Sequence, residues 1–191
     1  LQWAHLDIAG TAWKGGAVDF DGGEWSCHVA AGAVRVAQPG PVLVAALAPR
    51  MLRAAGSRAD GAILWIAPTA AIETLSAQVR AAAADAGRPA PRIVAGLPVA
   101  VHDDIAEARA AVAQIATFYE HHANYQRVIQ LGGAASAADA AIVGDEATVR
   151  RGIERVIEAG ATEFWASVVA VGPDRAASTQ RTMNLLRELL G

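Results

Sequence analysis

Cysteine occurs once, at Cys27, so the sequence holds no internal disulfide. A reducing compartment, the cytoplasm, is the expected location. Cys27 sits in the alternating stretch Trp25, Ser26, Cys27, His28, Val29 with no activating group nearby, and reads as a structural thiol. Lysine also occurs once, at Lys14; against 19 acidic residues the 16 basic ones leave a net charge of −3. A chain of this sign lacks the basic face that nucleic-acid backbones require, so no nucleic-acid partner is expected. No apolar run approaches the roughly 18–20 residues of a membrane span, and Gly61–Ala67 is stopped by Pro68. No membrane partner is expected either.

Short catalytic signatures are missing too. No G-x-G-x-x-G follows a strand-like run, and there is no phosphate-binding P-loop, G-x-S-x-G elbow, Cys–His pair or zinc-ligand spacing. His121 and His122 are adjacent, so on a helix they point about 100° apart and do not form a ligand pair. No metal is expected. The first residue is Leu1, and the opening dozen residues lack the basic start and long apolar core of a signal peptide. They read as the tail of a helix, which suggests a fragment.

What is present is alanine and apolar residue: 53% of the chain is hydrophobic, with a mean hydropathy of +0.27. That suits a compact, helix-favouring soluble domain. Leu1–Trp13 has helical spacing through Leu6, Ala9 and Trp13. Val18–Phe20 and Glu24–Val29 flank Asp21–Gly22–Gly23, a hairpin signal because both residue types tolerate positive φ. The segment then runs irregularly to Pro41.

Beyond Pro41 the pattern becomes four rounds of apolar run and helix. The runs are Val42–Leu47, Ala62–Ile66, Ile93–Val101 (interrupted by Pro98) and Glu163–Val171. The intervening helices are expected over Pro49–Ser57, over Ala70–Ala86 capped by Thr69, and from Asp103–Asp104 with Ile105, Ala108, Val112 and Ile115 on one face. Phe118–Leu131 continues helically. Asp145 caps a helix carrying Val149, Ile153, Val156 and Ile157, and Asp174–Leu190 closes the pattern by burying Met183, Leu186 and Leu190. Apolar runs without alternation suit strands covered on both faces, and helical crossovers imply parallel pairing. A doubly wound sheet and a βα barrel both satisfy this; the barrel predicts sequential strand order.

Four strings, in order and at this spacing, carry a resemblance: Val42–Leu52 (VLVAALAPRML), Ala59–Trp65 (ADGAILW), Arg92–Asp104 (RIVAGLPVAVHDD) and Ile142–Ala166 (IVGDEATVRRGIERVIEAGATEFWA). With the upstream VDFDG of Val18–Gly22, they resemble coenzyme F420-dependent oxidoreductases of the luciferase-like monooxygenase superfamily. The resemblance implies an α/β fold, the C-terminal half (strands five to eight) of a (β/α)8 TIM barrel, with a small β-hairpin at the N-terminus. Residues 1–191 then form one partial barrel domain: 1–41 a helix tail, hairpin and loop, and 42–191 four βα units. It implies F420 as cofactor, with FMN as the alternative, and hydride transfer to or from a small-molecule substrate. The family's ring-facing residues belong largely to strands one to four, so no catalytic residue is assigned. The chain alone is expected to be inactive, and either a homo-oligomer or in want of an N-terminal half. A catalytically inert half-barrel or assembly module is the rival reading.

In a βα barrel chemistry sits at the C-terminal ends of the strands. That selects Ala46–Met51, Trp65–Thr69, Pro98–Asp103 and Val169–Asp174. The resemblance implies a cofactor phosphate at Ala46, Leu47, Ala48 and Pro49, where a strand runs into a helix start. Relatives often carry glycine where Ala48 stands, and alanine's Cβ narrows that approach. Trp65 is a candidate pocket wall or core residue, His102 with Asp103 a polar pair on the chemical face, and Asp145–Glu146 chiefly a helix cap.

Overall fold

The computed structural model describes residues 13–14, 17–21, 26–29 and 40–190. The helix expected over Leu1–Trp13 and the irregular stretch 30–39 fall outside the described residues, except that Trp13 lies in a strand. The chain divides into two compact units, Leu1–Gly40 and Pro41–Gly191. In the first, β1 (Trp13–Lys14), β2 (Ala17–Asp21) and β3 (Ser26–Val29) form an antiparallel meander. The β2–β3 register runs from Val18↔Val29 to Asp21↔Ser26, and the expected turn at Gly22–Gly23 falls outside the described residues.

The second unit is an α/β fold on a parallel sheet. Its strands are β4 (Leu43–Ala45), β5 (Gly61–Trp65), β6 (Arg92–Val101), β7 (Ile142–Gly144) and β8 (Glu163–Val168). Its helices are α1 (Pro49–Arg58), α2 (Thr69–Asp85), α3 (Ile105–Glu120), α4 (Ala123–Leu131), α5 (Glu146–Glu158) and α6 (Arg175–Leu190). Every pairing among these strands is parallel, and β4, β5, β6 and β8 lie side by side in sequence order. The short β7 joins the far end of β6. Val99 faces both Ile142 and Val168, so β7 sits on the β5 side of β6, beyond the end of β5.

That arrangement explains how Pro98 survives inside a ten-residue strand. On β6 the backbone groups of even-numbered residues point toward β5 and β7: Gly96 accepts from the Ile66 amide, and Arg92 donates to Asp60. Pro98 falls between the last β5 partner, Gly96, and the first β7 partner, Val99. Its missing N–H therefore faces a gap in the ladder, and the strand continues where the sequence suggested an interruption.

One face of the sheet is fully covered. Ala62, Leu64, Ile93, Ala95, Leu97 and Val99 have no exposed surface and share a core with Leu52, Ile72, Leu75, Val79, Val149 and Val156 from the helices. By strand alternation the other face carries Ala45, Ile63, Trp65, Val94, Gly96 and Trp165. It is much less covered, with Trp165 50% exposed.

Several expected details shift. Ile66 leaves the strand with φ 52°, and Pro68 rather than Thr69 occupies the cap position of α2, with no side-chain cap. The buried stripe of α3 is Ala108, Val112 and Ala116, leaving Ile105 and Ile115 about half exposed. On α6 the buried residues are Thr182 and Leu185, and Leu190 is exposed. Thr182 is drawn inward because its Oγ1 accepts from the Val101 amide at 2.9 Å, beyond the end of β8. Asp104 and Asp145 cap their helices as their residue type requires. No helix among the described residues is long and apolar enough to cross a membrane.

Candidate functional site

The C-terminal ends of β4 and β5 open into a cavity of about 180 Å³. Ala45, Ala46, Leu47, Ala48 and Met51 form one wall, Ile63 and Trp65 the floor, and Asn124 and Tyr125 of α4 the opposite side. Four of the five cofactor candidates, Ala46, Leu47, Ala48 and Trp65, thus meet in one place. Pro49 does not join them. It opens α1 and lines a separate groove with Arg53, Ser57 and Gln78.

Ala48 is extended, φ −83° and ψ 146°, and contributes no side-chain cap. Pro49 has no N–H, and the Leu52 amide already bonds to Ala48. The α1 turn therefore keeps only the Arg50 and Met51 amides without a helical partner. Arg127 reaches across from α4 and donates to the Leu47 carbonyl, fastening the cavity's two sides together.

Trp65 is held by its neighbours along the sheet. It pairs in register with Gly96, which pairs in turn with Trp165. The two indoles approach over this glycine, ring centroids 4.9 Å apart and 32° between planes. A Cβ on Gly96 would lie 2.7 Å from Trp65 Cε3 and 2.9 Å from Trp165 Cε3, so only glycine leaves room for the pair. Tyr119 meets Trp65 edge-on at 6.2 Å, and Tyr119 and Tyr125 are 4.9 Å apart. Burial, helped by Tyr119, pushes the Tyr125 phenol up. Directly after Trp65, the buried Ile66 holds positive φ, a conformation that costs a β-branched residue roughly 1–3 kcal/mol. That turn takes the chain out of the sheet where the cavity begins.

The polar candidates gather elsewhere, beyond the ends of β6 and β7. His102 Nε2 lies 2.9 Å from Glu107 Oε2. Asp103 and Glu146 both accept from Arg181, at 2.8 Å and 2.7 Å, and the guanidinium holds both carboxyls below their ordinary range. Asp145 accepts from the Thr148 amide, and the Thr148 hydroxyl, followed by that amide, lowers its carboxyl as well. Glu146 therefore occupies the start of α5 and is itself paired with a cation. At the opposite end of the sheet, Arg92 and Glu163 form a two-bond ion pair, and Arg92 lowers the Glu163 carboxyl. Among the described residues no group of three or more His, Cys, Asp or Glu could hold a metal ion.

Sequence reasoning missed Gly96, Trp165, Tyr119, Tyr125 and Arg127. Gly96, alone in an apolar run, was a readable sign of close approach. The aromatic and arginine contacts depend on how α4 folds back, and had no local sign.

The sequence pattern of the luciferase-like monooxygenase family matches residues 5–181. The chain belongs to this family. Solved structures repeat its fold. The coenzyme F420-dependent tetrahydromethanopterin reductase from Methanopyrus kandleri is 20% identical, with 89% of this chain and 58% of that one covered at a TM-score of 0.60. An F420-dependent secondary alcohol dehydrogenase in complex with an F420–acetone adduct is 15% identical, covering 96% and 63% at 0.64. A type II Baeyer–Villiger monooxygenase, the oxygenating constituent of 3,6-diketocamphane monooxygenase from the CAM plasmid of Pseudomonas putida, in complex with FMN, is 16% identical, covering 89% and 56% at 0.62. This luciferase-like chain therefore spans about three fifths of the length of these relatives. No curated protein matches significantly.

Proposed function

We propose that residues 41–190 form the strand-five-to-eight half of a (β/α)8 barrel oxidoreductase that holds coenzyme F420. The observation that carries the reading is the cavity at the β4 and β5 ends, where Ala46, Leu47, Ala48 and Trp65 meet. At about 180 Å³ it is smaller than the roughly 300–1,000 Å³ of a complete ligand pocket, so it suits one end of a cofactor. Its apolar lining, the start of α1 at its wall and the arginine bonded to Leu47 fit the phosphate-bearing end. The sequential parallel strands and the uncovered Trp65–Trp165 face support a barrel arc whose opposite wall comes from further strands.

When bound, the deazaflavin would supply hydride transfer at C5 to or from an organic substrate. The chain's own residues would bind and orient it: the Ala46–Ala48 turn at the phosphate, Trp65 along the pocket wall, and α4 against water. FMN is the second reading, favoured by the FMN-bound neighbour. Titration with F420 and with FMN, followed by cofactor fluorescence, tests both. Tighter binding of F420 is expected. Tighter binding of FMN moves the assignment to the flavin branch, and binding of neither leaves a cofactor-free half-barrel.

A further inference from the structure

The free edge of β7 is one that a barrel arc leaves unexplained. β4 and β8 stand at the two ends of the arc, where further barrel strands would continue it. β7 instead lies on the β5 side of β6, a side that β5 already fills at its other end. The register, and the bond from the His102 amide to the Gly144 carbonyl, turn the backbone groups of Ile142 and Gly144 toward β6. The N–H and C=O of Val143 therefore point the opposite way, and neither meets a partner among the described residues. Val143 is half-buried, and an unpaired backbone donor and acceptor are costly where cover is partial. Apart from being short, β7 has none of the devices that blunt an edge: Ile142, Val143 and Gly144 bring neither charge nor proline.

A groove of about 800 Å³ lies against this strand, lined by Ile142 and Val143 and by Pro68 and Thr69 at the start of α2. That volume falls within the roughly 300–1,000 Å³ of a formed ligand pocket. Nearly half of the lining residues are glycine or alanine, so the groove has room for side chains it does not itself supply. Its charges balance, Arg109 and Arg155 against Glu73 and Asp139. What complements a strand edge is another strand, whose alternating donors and acceptors match it group for group. We infer that β7 and its groove take up an extended polypeptide segment of a partner protein, paired through its main chain to Val143. Small lining residues and balanced charge select a segment with bulky apolar side chains and little net charge. At three residues β7 is only about 10 Å long, so the engaged segment is short. The inference is independent of the cofactor reading, because the groove shares no residue with the cavity at the β4 and β5 ends.

The probe is a fluorescein-labelled peptide of alternating valine and threonine, titrated into the 191-residue chain by fluorescence anisotropy. Saturable binding is expected, with slower hydrogen exchange at the Val143 amide when the peptide is present. Two changes remove the main-chain bonds from opposite sides. Val143→Pro deletes the N–H of the edge; because that group faces away from β6, the existing ladder should survive. N-methylating the backbone amides of the peptide deletes the donors of the probe, and keeps the test decisive should the proline disturb β7. Each change should weaken binding about tenfold or more. Val143→Thr keeps the N–H and should bind as the unaltered chain does. The open edges of β4 and β8 could also hold a peptide, but binding there is indifferent to Val143. Affinity that survives Val143→Pro therefore overturns the inference. So does equal affinity for the N-methylated peptide, and so does a chain that leaves the probe unbound.

Discussion

A methyl group on Gly96 has no free volume to occupy. The Cβ would press against ring atoms of both Trp65 and Trp165, which cannot retreat together because each is fixed in register beside it. Gly96→Ala should destabilise the chain by about 1–3 kcal/mol, the usual cost of overpacking. Denaturant unfolding measures the loss, and a changed near-ultraviolet tryptophan signal locates it; an unchanged signal would mean that the indoles are not stacked. Ala48 lies at the other side of the cavity, where the opposite change is informative. Ala48→Gly removes a Cβ from the turn, and glycine is a better N-cap than alanine. Stability should hold and F420 binding should stay equal or tighten. Weaker binding would place the phosphate elsewhere.

Among elements, β6 and β8 are joined at their first residues by Arg92 and Glu163. Because the folded state holds the Glu163 carboxyl below its ordinary value of 4.5, the pair supports folding above that pH. Its contribution disappears as pH falls through the lower, folded value. Glu163→Gln should therefore flatten the pH dependence of stability below about 4.5 and lower stability at neutral pH, by a small amount because both groups are partly exposed and screened. Unfolding curves across this range read the slope directly. Four of the five parallel strands were legible because their runs are mostly apolar, the three-residue β7 being too short to stand out, and Asp104 and Asp145 marked their helices by residue type. The helix faces were not. Alanine buries without a hydrophobic signature, so Ala116 turned inward unannounced, while Ile105 and Ile115, expected beside Ala108 and Val112, faced out. Thr182 was placed by a backbone amide 81 residues away, which no local period encodes. The site divides the same way: strand ends pointed to Ala46–Ala48 and Trp65, but Arg127 and Trp165 reach them only through tertiary structure.

At the scale of the molecule, the first and last strands of the parallel sheet, β4 and β8, each have one neighbour among the described residues, as does the short β7. Among the described residues, β4 pairs only with β5, and β8 only with β6. Val42 is 61% exposed beside one edge and Trp165 50% exposed on the other, with little charge to discourage pairing. Each aliphatic side chain left wet forfeits roughly 1.5–3 kcal/mol, against a folding margin of about 5–15 kcal/mol. The isolated chain should therefore associate, aggregate or pack loosely, and show no hydride transfer. Size-exclusion chromatography with light scattering and an F420 turnover assay decide this. A monomer with sharp unfolding and turnover would mean that the open face needs no opposite wall.

The position of β6 also sets a timetable. It is the shared partner of β5, β7 and β8, but the partners become available at different moments. β4 and β5 precede it on the chain, whereas Thr162, which bonds to Ile93, lies 69 residues later. The longer loop closes more slowly, so β4, β5 and β6 should assemble while one flank of β6 still waits. Pulse-labelled hydrogen exchange during refolding would then find the amides of Ala62–Leu64 protected before those of Ala95–Val99 that face β8. A refolding delay, and the exposure to wrong partners that comes with it, belongs to that waiting edge.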